Sequence, residues 1–383
     1  MERGVAVKRA DIAIAGVMKG DPFHPHTWSG SSRYFFAALA ERGALAGAVS
    51  AELPAAQQRL HQALSFHPRR DVWKFKTRID LGHYRAMTAA AEQRLRRLPA
   101  GSFSVILQIG AWYDMTGMGG IPAVSYHDGN VYGHLNSPRG IPPVARRHID
   151  RVVAYEGALY RKLRAIFPMS RYLADSFVRD FGVDAAKVHT VGAGVNLPFL
   201  GDCRHRDFAR PRVLFVGKDF ARKGGETLLA AWRRVRARHP DAELQLIGPT
   251  VAIAEPGVTV LPPVDKRIDA DLARLVAAYA GATVFVMPSL YEPFGIVFCE
   301  AMAHRLPCVG TRVCAMPEII AEGETGFLVP PGDEARLAEA LITLLDSPAL
   351  CREMGERGFA RYEANYTWSG VADRSLDAIA ATL

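Results

Sequence analysis

Short apolar runs separated by helical stretches recur along this chain, and the pattern starts twice. In the first half such runs occupy residues 11–16, 104–109, 122–126, 165–169 and 188–191. In the second half they occupy residues 213–217, 244–248, 258–261, 284–287 and 307–310. Runs of this length without polar alternation are typical of strands buried on both faces of a parallel sheet. The repetition therefore predicts an α/β fold of two Rossmann-like domains.

Length and linker composition divide the chain. At 383 residues it exceeds what a single hydrophobic core usually supports. Residues 196–211 contain proline, glycine and several polar side chains between the two sets of strands, which is typical of a linker. We therefore expect an N-terminal domain over residues 1–196, a C-terminal domain over 197–368, and a closing helix over 369–383.

Composition favours a globular protein of a reducing compartment. Hydrophobic residues make up 49% of the chain and charged residues 22%. No apolar run approaches the ~20 residues that a membrane-spanning helix needs, and the first residues lack the apolar centre of a signal peptide. The five cysteines show no spacing typical of a disulfide or zinc framework. We expect a cytoplasmic protein.

Positive charge is concentrated in the first half. The net charge is +8, and residues 1–200 carry 26 Lys and Arg against 15 Asp and Glu, whereas the rest carries 21 against 24. This asymmetry suggests that the first domain meets an acidic partner or surface. The alternative is the arginine-rich usage of a GC-rich genome. We expect no nucleic-acid partner.

Two glutamates bracket a glycine loop that directly follows an apolar strand. If a helix begins near Gly295, Glu292 lies in the loop and Glu300 lies one to two turns into the helix. Both carboxylates then face the crevice at the carboxyl end of the strand, where open α/β sheets bind ligands. The backbone amides of Phe294, Gly295 and Ile296 would point out of the helix start, which suits a sugar oxygen or a phosphate.

This stretch resembles the Glu-x7-Glu motif of retaining GT-B glycosyltransferases, family four in particular. Downstream, the strand at 306–310, Pro-Glu-Ile-Ile at 317–320 and Gly-Phe-Leu-Val-Pro at 326–330 keep the order of that family. Paired glycines are usual in the family where Cys314 and Ala315 stand here, so the sequence departs from the pattern at that loop.

The resemblance implies a fold in which two Rossmann-like domains face each other across a cleft, and a closing helix that crosses back onto the first domain. It implies a hexosyltransferase of polysaccharide or glycoconjugate biosynthesis. The donor would be a nucleotide-diphosphate sugar, UDP- or GDP-linked, with no further cofactor. The acceptor would be a hydroxyl of a glycan, a lipid-linked sugar or a small molecule.

The loop after the first strand of the second domain carries Gly217, Lys218 and Lys223. In the family, a cation directly after the glycine and a lysine five residues later face the donor diphosphate, and Lys218 and Lys223 fall on these positions. Two cations beside a leaving diphosphate supply the charge that a metal supplies in other transferases. We expect metal-independent activity, with Arg222 as a bystander.

The Asp-Ala-Asp sequence at 269–271 matches a metal-nucleotide motif of the other large transferase fold. Because a helical stretch follows, we interpret Asp269 and Asp271 as an N-cap and a first-turn acid. No other group of His, Cys, Asp or Glu has metal-ligand spacing. The sequence predicts no metal site.

In the first domain the resemblance points to the loop before the first helix and to a histidine at a strand end. Similar enzymes contact donor phosphate or acceptor through a glycine-containing loop, for which Gly30 and the amide of Ser31 are the candidates. The usual tandem glycine is not present. Many relatives place a histidine against the transferred sugar, and His127 occupies that position. Asp128 is a weaker candidate.

The resemblance implies transfer with retention, and the pattern offers no obvious carboxylate nucleophile. Glu292 would bind sugar hydroxyls and Glu300 the ribose diol. Front-face attack is the alternative, with the departing phosphate taking the acceptor's proton and Lys218, Lys223 and the helix start stabilising the leaving group. Closure of the two domains would assemble the site.

Other classes share this fold. A nucleotide-sugar epimerase would need further acids or bases for chemistry within the sugar. A dinucleotide oxidoreductase is disfavoured because no Gly-x-Gly-x-x-Gly follows the first strand of either half. A non-catalytic sugar-nucleotide sensor remains possible in principle, although both glutamates and both lysines are present.

Residues 67–78 interleave basic and aromatic side chains. This segment suits an anionic acceptor, or an anionic surface at the inner face of the membrane with the protein peripheral to it. The alternative is a solvated face with Trp73 and Phe75 packed inward.

Overall fold

A computed structural model describes residues 9–137, 140–203 and 206–383. The chain forms two units, one of Met1–Gly192 with Trp368–Leu383 and one of Ala193–Thr367. The boundary expected at 196/197 therefore falls within the first residues of the second unit.

The first unit contains a parallel five-stranded sheet in the order β2-β1-β3-β4-β5. Its strands are β1 (Ile14–Met18), β2 (Leu45–Ser50), β3 (Val105–Ile109), β4 (Ala123–His127) and β5 (Ala165–Pro168). Its first seven helices are α1 (Ser31–Glu41), α2 (Ala55–Leu64), α3 (Arg70–Arg78), α4 (Leu81–Leu95), α5 (Val131–Leu135), α6 (Arg146–Lys162) and α7 (Arg171–Phe181). Every residue of β1, β3, β4 and β5 is buried, as expected for strands covered on both faces.

Two predictions about this sheet were wrong. The strand β2 was not predicted, because Leu-Ala-Gly-Ala-Val-Ser has one β-branched residue and lies at the sheet edge, where it is only half-buried. The run at 188–191 was predicted as a strand, but it contributes only an isolated bridge between Val188 and Ile166.

The second unit contains a parallel six-stranded sheet in the order β11-β10-β9-β6-β7-β8. Its strands are β6 (Arg212–Val216), β7 (Glu243–Ile247), β8 (Val258–Leu261), β9 (Val284–Val286), β10 (Cys308–Thr311) and β11 (Gly326–Val329). Its helices are α8 (Gly225–Arg238), α9 (Asp269–Gly281), α10 (Ile296–Ala303), α11 (Met316–Ile319), α12 (Glu334–Leu345) and α13 (Pro348–Asn365). The edge strand β11 was not predicted as a strand.

The chain ends in α14 (Trp368–Thr382), which belongs to the first unit. The Trp368 ring stacks on Phe35 of α1 with centroids 5.8 Å apart. Arg42, which follows α1, donates from Nη2 to Asp373 Oδ2 at 2.7 Å. Among the described residues, no helix is both long and apolar enough to cross a membrane.

The predicted linker at 196–211 belongs to the second unit and is bonded to it through Gly201 and Arg206. The guanidinium of Arg206 donates to the carbonyl oxygens of His304 and Arg305, at 2.5 and 2.7 Å, at the end of α10. The amide of Gly201 donates to Nε2 of His304 at 3.1 Å. These bonds attach the segment to His304, the C-cap residue of α10, and to Arg305 directly after it.

Candidate functional site

The functional residues predicted in the second unit lie at the point where its strand order reverses. The strands β7 and β8 follow β6 on one side of it, and the chain then crosses to β9, β10 and β11 on the other side. The loops after β6 and β9 therefore leave neighbouring strands in opposite directions and open a crevice at their carboxyl ends. Ligands of open α/β sheets bind at such a position.

Two glycines allow these loops to approach each other. A Cβ on Gly217 would lie 2.2 Å from Cδ of Lys223, so the lysine stem crosses the glycine backbone. Gly224 has a φ of +73°, and a Cβ there would lie 1.9 Å from the carbonyl oxygen of Pro288. Only glycine fits both positions without displacement of its neighbours.

Glu292 and Lys223 form an ion pair between the two loops. Lys223 Nζ lies 3.1 Å from Glu292 Oε2 and 3.0 Å from Met287 Sδ. The side chains of Lys223 and Glu292 are 12% and 13% exposed. Because the pair is partly buried, solvent screens it less than it screens a surface pair. The glutamate therefore fixes the position of the ammonium group.

Arg222 contacts the same carboxylate. Its Nη1 lies 3.2 Å from Glu292 Oε2 and donates to the carbonyl oxygen of Tyr291 at 2.6 Å. Its Nε lies 3.3 Å from Asp219 Oδ2. Lys218 is exposed on this loop and forms no ion pair with any described residue. The loop therefore presents one anchored and one unpaired lysine.

The helix after Glu292 begins where the sequence predicts. Gly295 is the N-cap of α10 with a φ of +88°, and a Cβ there would lie 2.5 Å from Cε of Met316. Among the described residues, no backbone group accepts a hydrogen bond from the amides of Gly295 or Ile296. The amide of Phe294, whose side chain is buried, lies in the same turn. Such a helix start attracts an anion.

Glu300 lies inside α10 and is almost fully buried. Tyr279 donates its hydroxyl to Glu300 Oε2 at 2.9 Å, whereas Glu300 Oε1 has no hydrogen-bond partner in the described part of the chain. Lys266 Nζ lies 3.7 Å from Oε1 and donates to the carbonyl oxygen of Asn196. A buried carboxylate oxygen with an unmet acceptor position is costly in a folded protein. It fits a ligand hydroxyl.

Two neighbours of Glu300 have pKa values that burial shifts away from their usual range. Burial, and then the Glu300 carboxylate, raise the pKa of the Tyr279 phenol well above its usual value, so Tyr279 remains a donor. The His304 ring stacks on Tyr279, and burial lowers the pKa of His304. Tyr279 and Lys266 were not predicted, since a tyrosine in an apolar helix and a lysine in a loop carry no local signal.

The aspartates at 269–271 serve the fold. The N-cap of α9 is Ile268, so the expected N-cap role of Asp269 was wrong, and Asp269 is a first-turn residue instead. Asp271 Oδ2 accepts from the amide of Asp265 at 2.9 Å, and its Oδ1 pairs with Arg274 at 2.8 Å. Within the described ranges, no group of three His, Cys, Asp or Glu side chains is arranged to hold a metal ion.

In the first unit, the loop before α1 has an unusual backbone. Gly30 is buried and caps α1 with a φ of +91°, and Ser31 is the first, buried residue of the helix. Trp28 and Ser29 have φ values of +48° and +58°. Non-glycine residues in this region store backbone strain that often marks ligand sites. The Trp28 indole donates to Asp128 Oδ2 at 2.9 Å, which connects this loop with the end of β4.

His127 lies at the end of β4 with its ring inside the core. It is 2% exposed, its Nε2 lies 2.8 Å from Ser125 Oγ, and its ring contacts Tyr160 and Phe177 edge-on. Burial lowers the pKa of His127 to about 3. The imidazole is therefore neutral at physiological pH and acts only as a hydrogen-bonding group.

The basic segment at 67–78 mostly forms α3. Val72 is buried, whereas Trp73 and Phe75 are half-buried. The Trp73 indole donates to the carbonyl oxygen of Gln62 at 2.7 Å and packs edge-on against Phe66. The aromatic residues thus attach α3 to α2 and still reach the surface.

Known proteins that are similar to this chain support its resemblance to glycosyltransferases. The family described as "Glycosyl transferases group 1" matches residues 210–347. The chain is 33% identical over 244 residues to the MMP alpha-(1->4)-mannosyltransferase of Mycolicibacterium hassiacum, which covers 61% of this chain and 58% of that protein. It is 30% identical over 331 residues to a D-inositol 3-phosphate glycosyltransferase of Pseudarthrobacter chlorophenolicus. That aligned stretch covers 79% of this chain and 76% of the relative.

Solved structures show the fold. Sucrose-phosphate synthase from Thermosynechococcus elongatus superimposes with a TM-score of 0.69 at 21% identity, covering 95% of this chain and 97% of that one. WaaG, a glycosyltransferase involved in lipopolysaccharide biosynthesis, superimposes with a TM-score of 0.61 at 16% identity, covering 95% and 98%.

Two Rossmann-like units with parallel sheets and these structural neighbours define a GT-B glycosyltransferase fold. The chain belongs to the family glycosyl transferases group 1. The fold and the family predicted from the sequence are thereby confirmed. The matched stretch spans about three fifths of the length of the mycobacterial relatives, 58% for the mannosyltransferase and 62% for an alpha-maltose-1-phosphate synthase.

Proposed function

We propose that this protein is a retaining hexosyltransferase that moves a sugar from a nucleotide-diphosphate donor to an acceptor hydroxyl. Membership of the glycosyl transferases group 1 family supports the reaction class. The names of its relatives, mannosyltransferase and D-inositol 3-phosphate glycosyltransferase, support transfer of a sugar to a hydroxyl-bearing acceptor.

One observation carries the proposal. Glu300 presents a buried carboxylate oxygen without a hydrogen-bond partner among the described residues, and it lies eight positions after Glu292 on the helix that starts at the crevice. A ribose diol supplies the hydroxyl donors that this oxygen lacks. Tyr279 donates to the other oxygen, Oε2, and orients the carboxylate, while Lys266 Nζ lies 3.7 Å from Oε1, beyond hydrogen-bond distance.

The donor diphosphate is assigned to the loop after β6 and the start of α10. Lys223 is held by Glu292, Lys218 on the same loop is exposed and unpaired in the described chain, and the backbone of Gly217 leaves room for close approach. The amides of Gly295 and Ile296 add partial positive charge. Because this charge is in place before the reaction, it stabilises the leaving diphosphate without reorganisation.

Glu292 is assigned to the transferred sugar. Arg222 and Lys223 both bind its Oε2, so its Oε1 remains for a sugar hydroxyl. In the front-face reaction the acceptor oxygen bonds to the anomeric carbon as the bond from that carbon to the phosphate oxygen breaks. The acceptor's proton passes to the departing phosphate, and the product keeps the donor's anomeric configuration. No enzyme nucleophile is needed.

The reaction is proposed to need no metal and no cofactor beyond the UDP- or GDP-linked donor. Lys218, Lys223 and Arg222 place three cationic side chains on one loop. They offer the charge compensation for which many transferases use a divalent ion.

Three residues of the first unit are assigned supporting roles. Gly30 and the amide of Ser31 lie at the start of α1, beside the strained residues Trp28 and Ser29, and are proposed to contact donor phosphate or acceptor. The neutral His127 is proposed to fix the end of β4 near the transferred sugar through hydrogen bonding, without acting as an acid.

A surface formed by α2 and α3 is proposed to rest on an anionic membrane inside the cell. Leu60, Leu64 and Phe66 are 57%, 73% and 61% exposed. Arg70 and Lys74 are exposed on the adjacent helix. Apolar side chains beside lysines and arginines suit the boundary between lipid headgroups and acyl chains. Leu60→Ser with Phe66→Ser should release the protein from phosphatidylglycerol vesicles, and unchanged binding would reject this surface.

A donor screen tests the proposed function. We expect one class among UDP, GDP, ADP and dTDP sugars to raise the Tm of the wild type, because ligands of the native state stabilise it. Glu300→Gln should lose that shift, whereas Glu363→Gln, an exposed glutamate of α13, should retain it. Mass spectrometry with sugars, polyols and their phosphates as acceptors then detects the product. A protein that binds no sugar nucleotide would contradict the proposal.

A further inference from the structure

A cavity of about 780 Å³ lies within the first unit, between α2, α3, α4 and α6. This volume is in the range of small-molecule sites. Since α4 leads into β3 and α6 into β5, the first turns of both helices lie toward the carboxyl ends of the strands. The cavity residues Gly82 and His148 lie near those first turns. The cavity is therefore on the ligand-binding side of the sheet.

Three cationic side chains line this cavity without anionic partners. Lys76 comes from α3, Arg85 from α4 and Arg151 from α6, and none of them forms an ion pair within the described part of the chain. The one acidic residue of the wall, Asp80, is already occupied. Its Oδ1 accepts from the Gly82 amide, and its Oδ2 lies 2.9 Å from His61 Nδ1.

Two further residues of the cavity wall, His148 and Tyr155, bear on what it can bind. The pKa of His148 is lowered by burial and then by Arg147, Lys76 and Arg151, so His148 adds no charge at neutral pH. Tyr155 also lines the cavity, and its buried hydroxyl has no hydrogen-bond partner in the described residues. Buried hydroxyls normally have a partner.

We propose that this cavity binds the phosphate group of a phosphorylated acceptor, with Lys76, Arg85 and Arg151 as its cationic ligands. A phosphate monoester carries nearly two negative charges at neutral pH. It matches a wall of three unpaired cations better than a single carboxylate does, and arginine offers it paired donors. Tyr155 is a further donor at the same wall. The proposal rests on the proposed transferase function and specifies its acceptor.

Binding of inorganic phosphate tests the site directly. Calorimetry at constant ionic strength, with chloride as the reference anion, should detect one phosphate site in the wild type. Arg85→Gln and Arg151→Gln should each weaken phosphate binding about tenfold or more, and Arg97→Gln, an exposed arginine after α4 outside the cavity, should leave it unchanged. Equal phosphate affinity in all four proteins would overturn the proposal.

Tyr155→Phe gives a test that is not confounded by folding defects. Because the Tyr155 hydroxyl has no partner in the described chain, its removal should leave the Tm unchanged or raise it. Phosphate binding should nevertheless weaken about fivefold if the hydroxyl donates to the anion. A Tyr155→Phe protein with wild-type phosphate affinity would remove this residue from the site.

Matched pairs of acceptors show whether the bound phosphate belongs to a soluble molecule or to a lipid. They also distinguish the cavity proposal from the proposed transferase function. With a donor found by the screen, glucose 6-phosphate and glycerol 3-phosphate should be better acceptors than glucose and glycerol, and Arg151→Gln should erase the difference through KM. If only phosphatidylglycerol vesicles bind, in an Arg151-dependent manner, the phosphate is that of a lipid. Equal use of both members of each pair, with Arg151→Gln unchanged, rejects the cavity while the transferase function stands. Failure of every donor with phosphate binding intact rejects the function alone.

Discussion

Lys223 Nζ lies 3.1 Å from Glu292 Oε2, and the two residues come from loops that follow neighbouring strands of one parallel sheet. The pair joins a cation proposed to face the leaving diphosphate to a carboxylate proposed to face the sugar. Any change at one residue therefore alters the position of the other. Arg222 binds the same oxygen at 3.2 Å and makes the arrangement a three-residue cluster.

Glu292→Ala should chiefly reduce kcat, by ~100-fold or more, with a smaller loss of donor affinity, because the lost contacts to the sugar and to Lys223 act mainly in the transition state. Steady-state kinetics with the donor from the screen measures both. Glu363→Ala, an exposed glutamate of the same unit, is the control. Near-normal turnover in folded Glu292→Ala protein would refute the role given to Glu292.

Glu300→Gln should weaken donor binding by ~10-fold or more, since a charged acceptor for ribose hydroxyls is lost. Tyr279→Phe should cost about 1–3 kcal/mol of stability, because the buried Glu300 Oε2 loses the donor that it has at 2.9 Å. Calorimetry with the nucleoside diphosphate and urea unfolding separate the two effects. Glu300→Gln protein that binds donor normally would show that ribose lies elsewhere.

Chelation should leave activity intact. Lys218→Ala and Lys223→Ala should each lower turnover, because the diphosphate leaves less readily without their charge. Lys187→Ala serves as the control, because this half-buried lysine of the other unit bonds only to the carbonyl oxygen of Arg161 among the described residues. Activity that disappears in EDTA and returns with Mg²⁺ or Mn²⁺ would mean that a metal, and not this loop, carries the compensation.

Stability should depend on pH through Glu156. Burial raises the pKa of this carboxyl to about 7, although the Val131 amide and the Tyr160 hydroxyl donate to it. Between the ordinary glutamate pKa of 4.5 and pH 7, the folded chain holds a proton that the unfolded chain has released. The free energy of unfolding contributed by Glu156 therefore falls as pH rises, by about 3 kcal/mol in total.

Glu156→Gln keeps an acceptor for both donors and removes the titration. The difference in Tm between the wild type and Glu156→Gln should thus change between pH 5 and pH 8. The Tm of the wild type relative to that of the variant should be lower at pH 8. A difference that stays constant over this range would mean that Glu156 titrates normally.

The local part of the site was predictable from the sequence. The apolar strand, the loop with Glu292, the glycine that starts α10 and the place of Glu300 inside the helix all follow from residues within one short stretch. Backbone requirements of this kind, such as the φ of +88° at Gly295, leave a direct mark on residue type. Roles in binding and catalysis are not fixed by such marks and remain predictions.

The partners of these residues were not predictable. Arg222 meets Glu292 across 70 positions of sequence, and Tyr279 meets Glu300 from another helix. Such contacts depend on tertiary packing and have no local pattern. The edge strand β2 was missed because it lacks the continuous burial that makes central strands recognisable. The strand β11 was missed although three of its four residues are buried, since a four-residue run that begins with glycine gives a weak strand signal.

The anomeric configuration of the product is the most direct test of the central claim. The purified protein is incubated in EDTA with the α-linked nucleotide sugar found by the screen and its acceptor, and the new linkage is assigned by ¹H NMR. We predict an α-linked product, one nucleoside diphosphate released per linkage, and loss of both in Glu292→Ala. A β-linked product, or transfer that persists unchanged in Glu292→Ala, would contradict the account.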